Sequence, residues 1–236
     1  MRWLAALLVW ASAAQAQVVE VRDGDALARF ENPTNRYGHG IMGDLPEWGR
    51  LCLMNAGQIA CVDLPETSVF EDIAPRLADL DGDGWMEAVV IESSVTGGAS
   101  LVVYRLEKGK LQRIATPPIG QRNRWLAPAG IADFDGDGYI EIAYVDRPHL
   151  AKILRVWRYK DGRLEQLAAA AGITNHRIGE DFITGGVRDC GDGPEMVLAD
   201  AQWQSVIAVR FDGNELQAEA VEPFSAAAVA RALQCK

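Results

Sequence analysis

The chain has 236 residues, of which 49% are hydrophobic and 24% are charged, and its formal net charge is −10. This composition is that of a folded globular protein. The negative charge excludes a typical nucleic-acid-binding protein, because phosphate binding needs a clustered basic face.

The chain begins with a short apolar segment behind one basic residue, Arg2. The apolar run from Trp3 to Ala11 is too short to span a bilayer, and it leads into Ala14-Gln15-Ala16, the pattern of a signal-peptidase site. We therefore expect residues 1–16 to be a signal peptide and residues 17–236 to form one domain that is exported, either periplasmic or secreted. A buried N-terminal helix is the alternative interpretation. No later run is long enough for a transmembrane segment.

A hairpin is predicted next, from the β-like runs QVVEVRD and DALARFEN on either side of Gly24. It lies ahead of the repeated part of the chain. We expect it to close a ring by pairing with strands from the other end of the chain.

Four cysteines remain after the predicted cleavage, an even number that favours disulfides in an oxidising compartment. Cys52 and Cys61 flank LMNAGQIA, a turn between two β-like runs, and a hairpin would bring them within bonding distance. Cys190 and Cys235 would then form the second bridge and tie the C-terminal segment to the body. Metal binding by these cysteines is the alternative, but the sequence has no C-x-x-C.

An acidic string occurs twice, in LADLDGDGWMEAVVI and in IADFDGDGYIEIAYV. Both copies contain D-x-D-G-D-G-x-x-E, which places side-chain oxygens at positions 1, 3, 5 and 9 and a backbone carbonyl at position 7. Carboxylates spaced so closely repel one another unless a hard cation lies between them, and such a set of oxygens suits Ca²⁺. The predicted calcium ligands are Asp79, Asp81, Asp83, Trp85 (carbonyl) and Glu87 in the first loop, and Asp133, Asp135, Asp137, Tyr139 (carbonyl) and Glu141 in the second.

Three other interpretations of these loops are possible. An EF-hand needs a bidentate Glu at position 12 and flanking helices, but position 12 is Val90 or Tyr144 within a β-like run. General acid–base catalysis is a second possibility, yet metal geometry already accounts for each carboxylate. The third is a solvated acidic turn without metal, which the repeated match disfavours.

Two weaker copies of the loop accompany the intact ones. One begins at Asp189 in VRDCGDGPEMVLA, and the other at Asp44 in HGIMGDLPEWGRLCLM. Short apolar runs recur around each loop, and a D-G or K-G turn often separates the last two runs. About four strands per unit and a spacing near 54–56 residues are typical of β-propeller blades. We therefore predict an all-β, propeller-like fold with four or five short four-stranded blades, plus a short C-terminal helix in SAAAVARALQC.

The acidic string and the apolar runs around it resemble the FG-GAP/VCBS repeats of integrin-like β-propellers. The resemblance implies that the loop joins the first two strands of a blade and that calcium clips it, with the ten ligands named above. It implies no particular activity, since one fold serves many functions. The weaker copies depart from the pattern. Because the Asp189 loop is two residues shorter and contains Cys190, and the Asp44 loop keeps only Asp44 and Glu47, we expect no calcium at either.

A second repeat precedes three of the loops, in which Asn is followed by a basic residue. The unit that carries Asp79 instead has Phe70-Glu71-Asp72 in this position. In a propeller this joint lies on one rim, near the central channel, where it would form a polar binding surface. The alternative is structural, because Asn caps turns and Arg pairs with neighbouring carboxylates. The candidate rim residues are Arg36, Tyr37, His39, Arg124, Trp125, His176 and Arg177.

These observations predict an exported, calcium-stabilised β-propeller that binds a protein or glycan partner and performs no chemistry itself. The sequence has no G-x-S-x-G motif, and its three histidines form no spaced cluster. Two alternatives stay open. One is an enzyme whose active site lies at the rim or in the central channel, and the other is a purely structural module of the cell envelope.

Overall fold

The computed structural model describes residues 18–236, so the predicted signal peptide lies outside the described residues. The described part is built almost entirely from β-strands and ends in one short helix. The strands are Val19–Asp23 (β1), Ala26–Thr34 (β2), Glu47–Asn55 (β3), Gln58–Asp63 (β4), Ser68–Phe70 (β5), Arg76–Ala78 (β6), Glu87–Ser94 (β7), Gly98–Glu107 (β8), Lys110–Ala115 (β9), Leu126–Ala132 (β10), Ile140–Asp146 (β11), Ile153–Lys160 (β12), Arg163–Ala171 (β13), Ile173–Thr174 (β14), Gly186–Asp189 (β15), Pro194–Asp200 (β16), Ser205–Phe211 (β17) and Leu216–Pro223 (β18), followed by the helix Ala226–Leu233 (α1).

Most of these strands form four consecutive antiparallel meanders, called units one to four below. Unit one contains β1–β4, unit two β6–β9, unit three β10–β13 and unit four β15–β18. These units lie in three sheets, because β5 pairs with both β3 and β7 and so joins units one and two in one nine-stranded sheet. The predicted K-G and D-G turns join the last two strands of units two and three. Lys108-Gly109 and Asp161-Gly162 have positive φ at both residues, the conformation of a two-residue hairpin turn that matches the twist of its strands.

The first strand of units two and four is interrupted. β5 and β6 both pair with β7, at opposite ends of it, and residues 71–75 form the gap between them. In the same way β14 and β15 both pair with β16 and are separated by residues 175–185. The sequence runs around these gaps do not reveal the interruption. Its consequence is that irregular backbone and polar side chains enter the middle of the molecule.

Adjacent units pack face to face through buried apolar side chains. Phe30 of β2 stacks on Phe70 with ring centroids 5.2 Å apart, in a cluster that lies between units one and two. A larger cluster joins units two, three and four and includes Val103, Leu154 and Leu198. Alternate residues of each strand enter one of these layers, which explains the alternating pattern in the sequence. Burial of this apolar surface is the main source of stability.

The strand pairing at the two ends of the array differs from the prediction. The hairpin β1–β2 pairs with β3 inside unit one, so the expectation that it pairs with strands from the other end of the chain is wrong. Among residues 18–236, no strand of unit one pairs with a strand of unit four. The loops of these units do meet, because Gly179 N–H donates to the carbonyl of Ile41 over 3.1 Å. The segment GIMGD around Asp44, predicted to be a strand, instead forms turns between β2 and β3.

Each outer face is covered or charged. The predicted C-terminal helix packs on unit four through Val229 and Ala232, against Val197 and Val206. On the outer face of unit one, Arg50 bridges Glu31 and Asp63 at 3.3 and 2.9 Å. Polar or covered end faces are a general requirement of repeat arrays, because an exposed apolar end would associate with other molecules.

Both predicted disulfides are present, one in each outer unit. Cys52–Cys61 joins neighbouring strands β3 and β4, and Cys190–Cys235 ties the loop after β15 to the end of α1. No helix of the described chain has the length and hydrophobicity needed to cross a membrane.

Candidate metal loops and rim pocket

The first acidic loop lies between β6 and β7 and brings three carboxylates together. One oxygen from each of Asp79, Asp81 and Glu87 lies within 4.8 Å of the others. Asp79 accepts hydrogen bonds from the backbone N–H groups of Gly82 and Gly84 at 2.8 and 3.0 Å. These bonds wrap the chain around the aspartate, and the positive φ of both glycines makes that tight wrapping possible.

The second loop, between β10 and β11, repeats this geometry. Asp133, Asp135 and Glu141 have oxygens within 4.8 Å of one another. The buried Glu141 accepts a hydrogen bond from Phe134 N–H at 2.9 Å, as Glu87 does from Leu80 N–H at 2.9 Å. Two loops 54 residues apart therefore reach the same arrangement from the same local sequence.

The remaining predicted ligands are placed differently. Asp83 and Asp137 lie outside the two three-carboxylate clusters, and each accepts a hydrogen bond from the backbone N–H two residues later, at 2.8 and 3.0 Å. The carbonyls of Trp85 and Tyr139 stay predicted ligands.

Arginines from the third strand of each unit reach these carboxylates. Arg105 of β8 donates to Asp81 and Asp83 at 2.8 and 3.1 Å. Arg158 of β12 lies 2.7 Å from Asp135 and 2.8 Å from both Asp137 and Glu141. The second loop is therefore more extensively neutralised by protein than the first.

Burial disfavours the charged form of the terminal glutamates. Burial raises the pKa of Glu87 to about 7, and the negative charges of Asp81 and Asp83 add to this effect. Burial also raises the pKa of Glu141, although Arg158 acts in the opposite direction. A bound cation would remove this penalty. Converging carboxylate oxygens on a glycine-rich turn suit a hard divalent ion such as Ca²⁺.

The third loop, after β15, neutralises its buried glutamate without a comparable carboxylate cluster. Its buried Glu195 accepts from Arg188 and from Arg210, each at 2.8 Å. Arg188 faces Glu195 across the β15–β16 pair, in the position that Ala78 and Ala132 occupy opposite the glutamates of the other loops. Arg188 also donates to the carbonyl of Ala232 in α1 at 2.6 Å. Its guanidinium thus neutralises the glutamate and fastens the helix.

Two of the predicted rim residues are occupied by structural contacts. Arg36 donates to the carbonyls of Ser68 and Leu64, at 2.9 and 3.2 Å. Arg177 lies over the Trp203 ring, with its guanidinium carbon 4.0 Å from the centroid. These contacts support the structural interpretation for both arginines.

Other rim residues converge on Glu71, which lies in the gap between β5 and β6. His39 Nδ1 is 2.5 Å from Glu71 Oε1, and Ser93 Oγ donates to the other carboxylate oxygen. Trp125 Nε1 donates to the Glu71 carbonyl at 2.7 Å. Burial raises the pKa of Glu71, while its hydrogen bond to His39 lowers it. Tyr37 is buried beside this group, and its ring is edge-on to that of His39.

The other two histidines meet although they are far apart in sequence. His149 Nε2 is 3.0 Å from His176 Nδ1, and His176 Nε2 is 3.0 Å from the carbonyl of Glu180. Burial, followed by the neighbouring His176, lowers the pKa of His149 to about 4, and burial lowers that of His176. Both rings are therefore neutral at pH 7, and the His176 ring packs edge-on against Trp125.

A cavity of about 210 Å³ lies next to these groups. Of the predicted rim residues, His39, Arg124 and Trp125 line it; His176 lies behind the lining. Three residues at or beside this cavity are not among the predicted rim residues: Glu71, Asn123 and His149. The break in the Asn-basic repeat at Phe70-Glu71-Asp72 was a signal for Glu71, whereas His149 follows a strand with no distinguishing pattern.

Comparison with known families matches residues 79–144 to the model of an FG-GAP-like repeat. These residues contain both intact acidic loops, so the match confirms the resemblance drawn from the sequence for this part of the chain. A search of curated proteins found no match to the chain.

One solved structure shares the fold at low sequence identity. The exotype rhamnogalacturonan lyase YesX matches with a TM-score of 0.50 and 18% identity, over 84% of this chain and 39% of the lyase. A bifunctional GH43-CE protein from Bacteroides eggerthii matches with a TM-score of 0.38 and 14% identity, over 87% of this chain and 28% of that protein. The chain thus spans well under half the length of the lyase, and at this identity the likeness concerns the fold.

Proposed function

We propose that this protein is an exported, calcium-stabilised module with a four-unit, β-propeller-like fold that binds a protein or glycan partner through its rim. The observation that carries this proposal is the pair of matched carboxylate clusters, each closed by a buried glutamate. In this proposal Ca²⁺ neutralises carboxylates in the two loops and holds the first two strands of units two and three together. Residues 17–236 act as one module, and the two disulfides are typical of proteins in oxidising compartments.

The rim is the proposed binding surface because irregular backbone and polar groups converge there. The gaps at residues 71–75 and 175–185 bring His39, Glu71 and His149 to one part of the molecule. Binding residues commonly lie on loops that a rigid scaffold positions.

The test is capture of partners by the purified mature protein from a secreted or periplasmic fraction, with calcium or with chelator. We expect capture of a specific protein or glycan that is lost with chelator and with the variant Asp81→Asn. Asp161→Asn, which removes one exposed acid from a hairpin turn of β12–β13, is the matched control and should capture normally. No specific capture in either condition would favour a purely structural module.

One observation favours catalysis as the second candidate. His39 is held by the buried Glu71, and a histidine oriented by a carboxylate is a common general base. An enzyme of this kind would lose turnover in His39→Gln while keeping its melting temperature. Turnover that survives this change would reject His39 as the base.

A further inference from the structure

The cavity beside His39 has a mainly apolar wall and an open mouth. Ile41, Trp125, Leu150 and Ile178 contribute the apolar lining, and the last two are 64% and 70% exposed. Its volume of about 210 Å³ is below the roughly 300–1,000 Å³ of sites for drug-sized ligands. The cavity is therefore suited to one small group with an apolar body.

Arg124 supplies a positive charge that has no ion-pair partner in the described part of the chain. Its guanidinium donates to the carbonyl of Asn123 at 2.7 Å, and no carboxylate of residues 18–236 lies within ion-pair distance of it. Arg147, in the same lining, contrasts with it because both arms of that guanidinium are bonded to Asp146 at 2.7 and 3.1 Å. An unpaired guanidinium in an apolar cavity is a site for a carboxylate, which it binds with strong charge-assisted hydrogen bonds.

His39 presents its second ring nitrogen from a fixed position. Nδ1 is hydrogen-bonded to Glu71, and Glu71 is itself held by Ser93 and by a backbone hydrogen bond. Nε2 is therefore the ring nitrogen that can contact a ligand. The side chain is 13% exposed, which is enough for contact at the cavity wall. In a ring with protons on both nitrogens, Nε2 is a hydrogen-bond donor and Glu71 balances the charge.

Asn123 adds a buried acceptor. Its amide oxygen has no hydrogen-bond partner among the described residues, and the residue lines the same cavity. A buried polar atom without a partner is costly, so a ligand that donates an N–H or O–H to it would gain affinity.

We propose that this cavity binds the carboxylate of a small organic acid that has an apolar body. Arg124 and His39 hold the carboxylate, the apolar wall holds the body, and Asn123 accepts from a donor on the ligand. Two sources supply this chemistry: a free carboxylic acid, or the apolar C-terminal residue of a peptide chain. The inference rests on the proposed binding role and names the ligand chemistry of its rim.

The experiment is a titration of the calcium-loaded mature protein, followed by the NMR signal of the Trp125 indole N–H. The probes are N-acetyl-leucine, its neutral amide N-acetyl-leucinamide, and 4-methylpentanoate, which lacks the N–H donor. We expect saturable binding of N-acetyl-leucine and at least about tenfold weaker binding of the amide, because charged hydrogen bonds contribute most. Similar affinity for 4-methylpentanoate would identify free acids as the source, and clearly weaker affinity would identify a peptide C-terminus.

Three variants connect the binding to the cavity. Arg124→Gln should weaken N-acetyl-leucine by about tenfold or more, whereas Arg163→Gln makes the same charge change at an exposed residue of β13 and should bind normally. Ile178→Ser lies at an exposed position that the fold does not need, so it tests the apolar wall even if Arg124→Gln fails to fold; it should weaken binding severalfold.

Three results would overturn the inference: no saturable binding of either acid, equal binding of acid and amide, or unchanged binding in Arg124→Gln or Ile178→Ser. The melting temperature of each sample is measured with and without calcium. Calcium stabilisation without carboxylate binding would reject the cavity ligand and leave the proposed function in place. Carboxylate binding without calcium stabilisation would reject the proposed calcium-stabilised module and leave the cavity ligand in place.

Discussion

The two intact acidic loops and the third loop occupy equivalent places in their units but neutralise a buried glutamate in different ways. Glu87 and Glu141 each face an alanine across the strand pair and have two aspartates nearby. Glu195 faces Arg188 and has no such cluster. The comparison shows that a buried glutamate at this place needs positive charge beside it. Arg188 and Arg210 supply it in unit four, Arg158 supplies part of it in unit three, and an ion is proposed for units two and three.

The largest expected effect is that of calcium removal. At a calcium concentration a hundred times the dissociation constant, each site would contribute about 2.7 kcal/mol to the free energy of unfolding, so two sites would contribute about 5 kcal/mol. Chelation should lower the urea midpoint accordingly, and Asp133→Asn should remove about half of the effect. An unfolding free energy that is the same with calcium and with chelator would contradict calcium stabilisation of the two intact loops.

The next effect tests the arginine in unit four. Arg188→Ala leaves the buried Glu195 with Arg210 alone, and we expect a loss of about 2–3 kcal/mol, because an uncompensated buried charge is costly. Arg210→Ala removes a side chain that is 48% exposed and should cost clearly less, because exposed ion pairs contribute little. Urea unfolding measures both. Calcium should not restore the stability of Arg188→Ala. If it did, unit four would bind an ion as well.

A half-buried base whose charged form is disfavoured gives the opposite case, at His149. Its pKa of about 4 in the folded protein lies below the roughly 6.5 of an unfolded histidine, so the unfolded state binds more protons between these values. Stability should therefore fall as the pH drops from about 6.5 toward 4. Since His149 is half-buried, we expect about 1–2 kcal/mol at pH 5. Comparing unfolding free energies at pH 7 and pH 5, His149→Gln should lose this part of the slope; an unchanged slope would contradict the assignment.

The smallest change in stability is expected when unit two is given the arginine of unit four. Ala78→Arg places a guanidinium opposite Glu87, as Arg188 lies opposite Glu195. Calorimetry should show one calcium bound in place of two, while stability in chelator changes by less than about 1 kcal/mol. Two calcium ions bound by this variant would show that arginine and ion do not compete for the position. Lys110→Arg, at an exposed residue of the same unit, is the control and should bind two.

Much of this structure could be predicted because the determining interactions are local. Asp79 bonds to backbone groups three and five residues later, and Glu87 bonds to Leu80, so the loop follows from its own sequence. The Cys52–Cys61 bridge and the K-G and D-G turns are likewise formed within one hairpin. The helix at the C-terminus followed from its helical spacing.

The rim could be predicted only in part. Of the predicted rim residues, His39, Arg124 and Trp125 line one cavity, whereas Arg36 and Arg177 contact backbone carbonyls and an aromatic ring. Nothing in the sequence around His39 indicates that it is held by Glu71, because the contact crosses from the β2–β3 loop to the gap between β5 and β6.

The sequence by itself determined the repeated unit, the acidic loops and the cysteine pairs, since each depends on neighbours in the chain. Only the tertiary structure decided how the outer faces of the two end units are covered, where the first strands of units two and four are interrupted, and which distant side chains meet. Whether the four units close into a ring depends on how the two end units pack. In this protein α1 covers unit four, and the hairpin β1–β2 joins unit one. The meeting of His149 with His176, and of His39 with Glu71, depends on the packing of whole units, which local sequence does not encode.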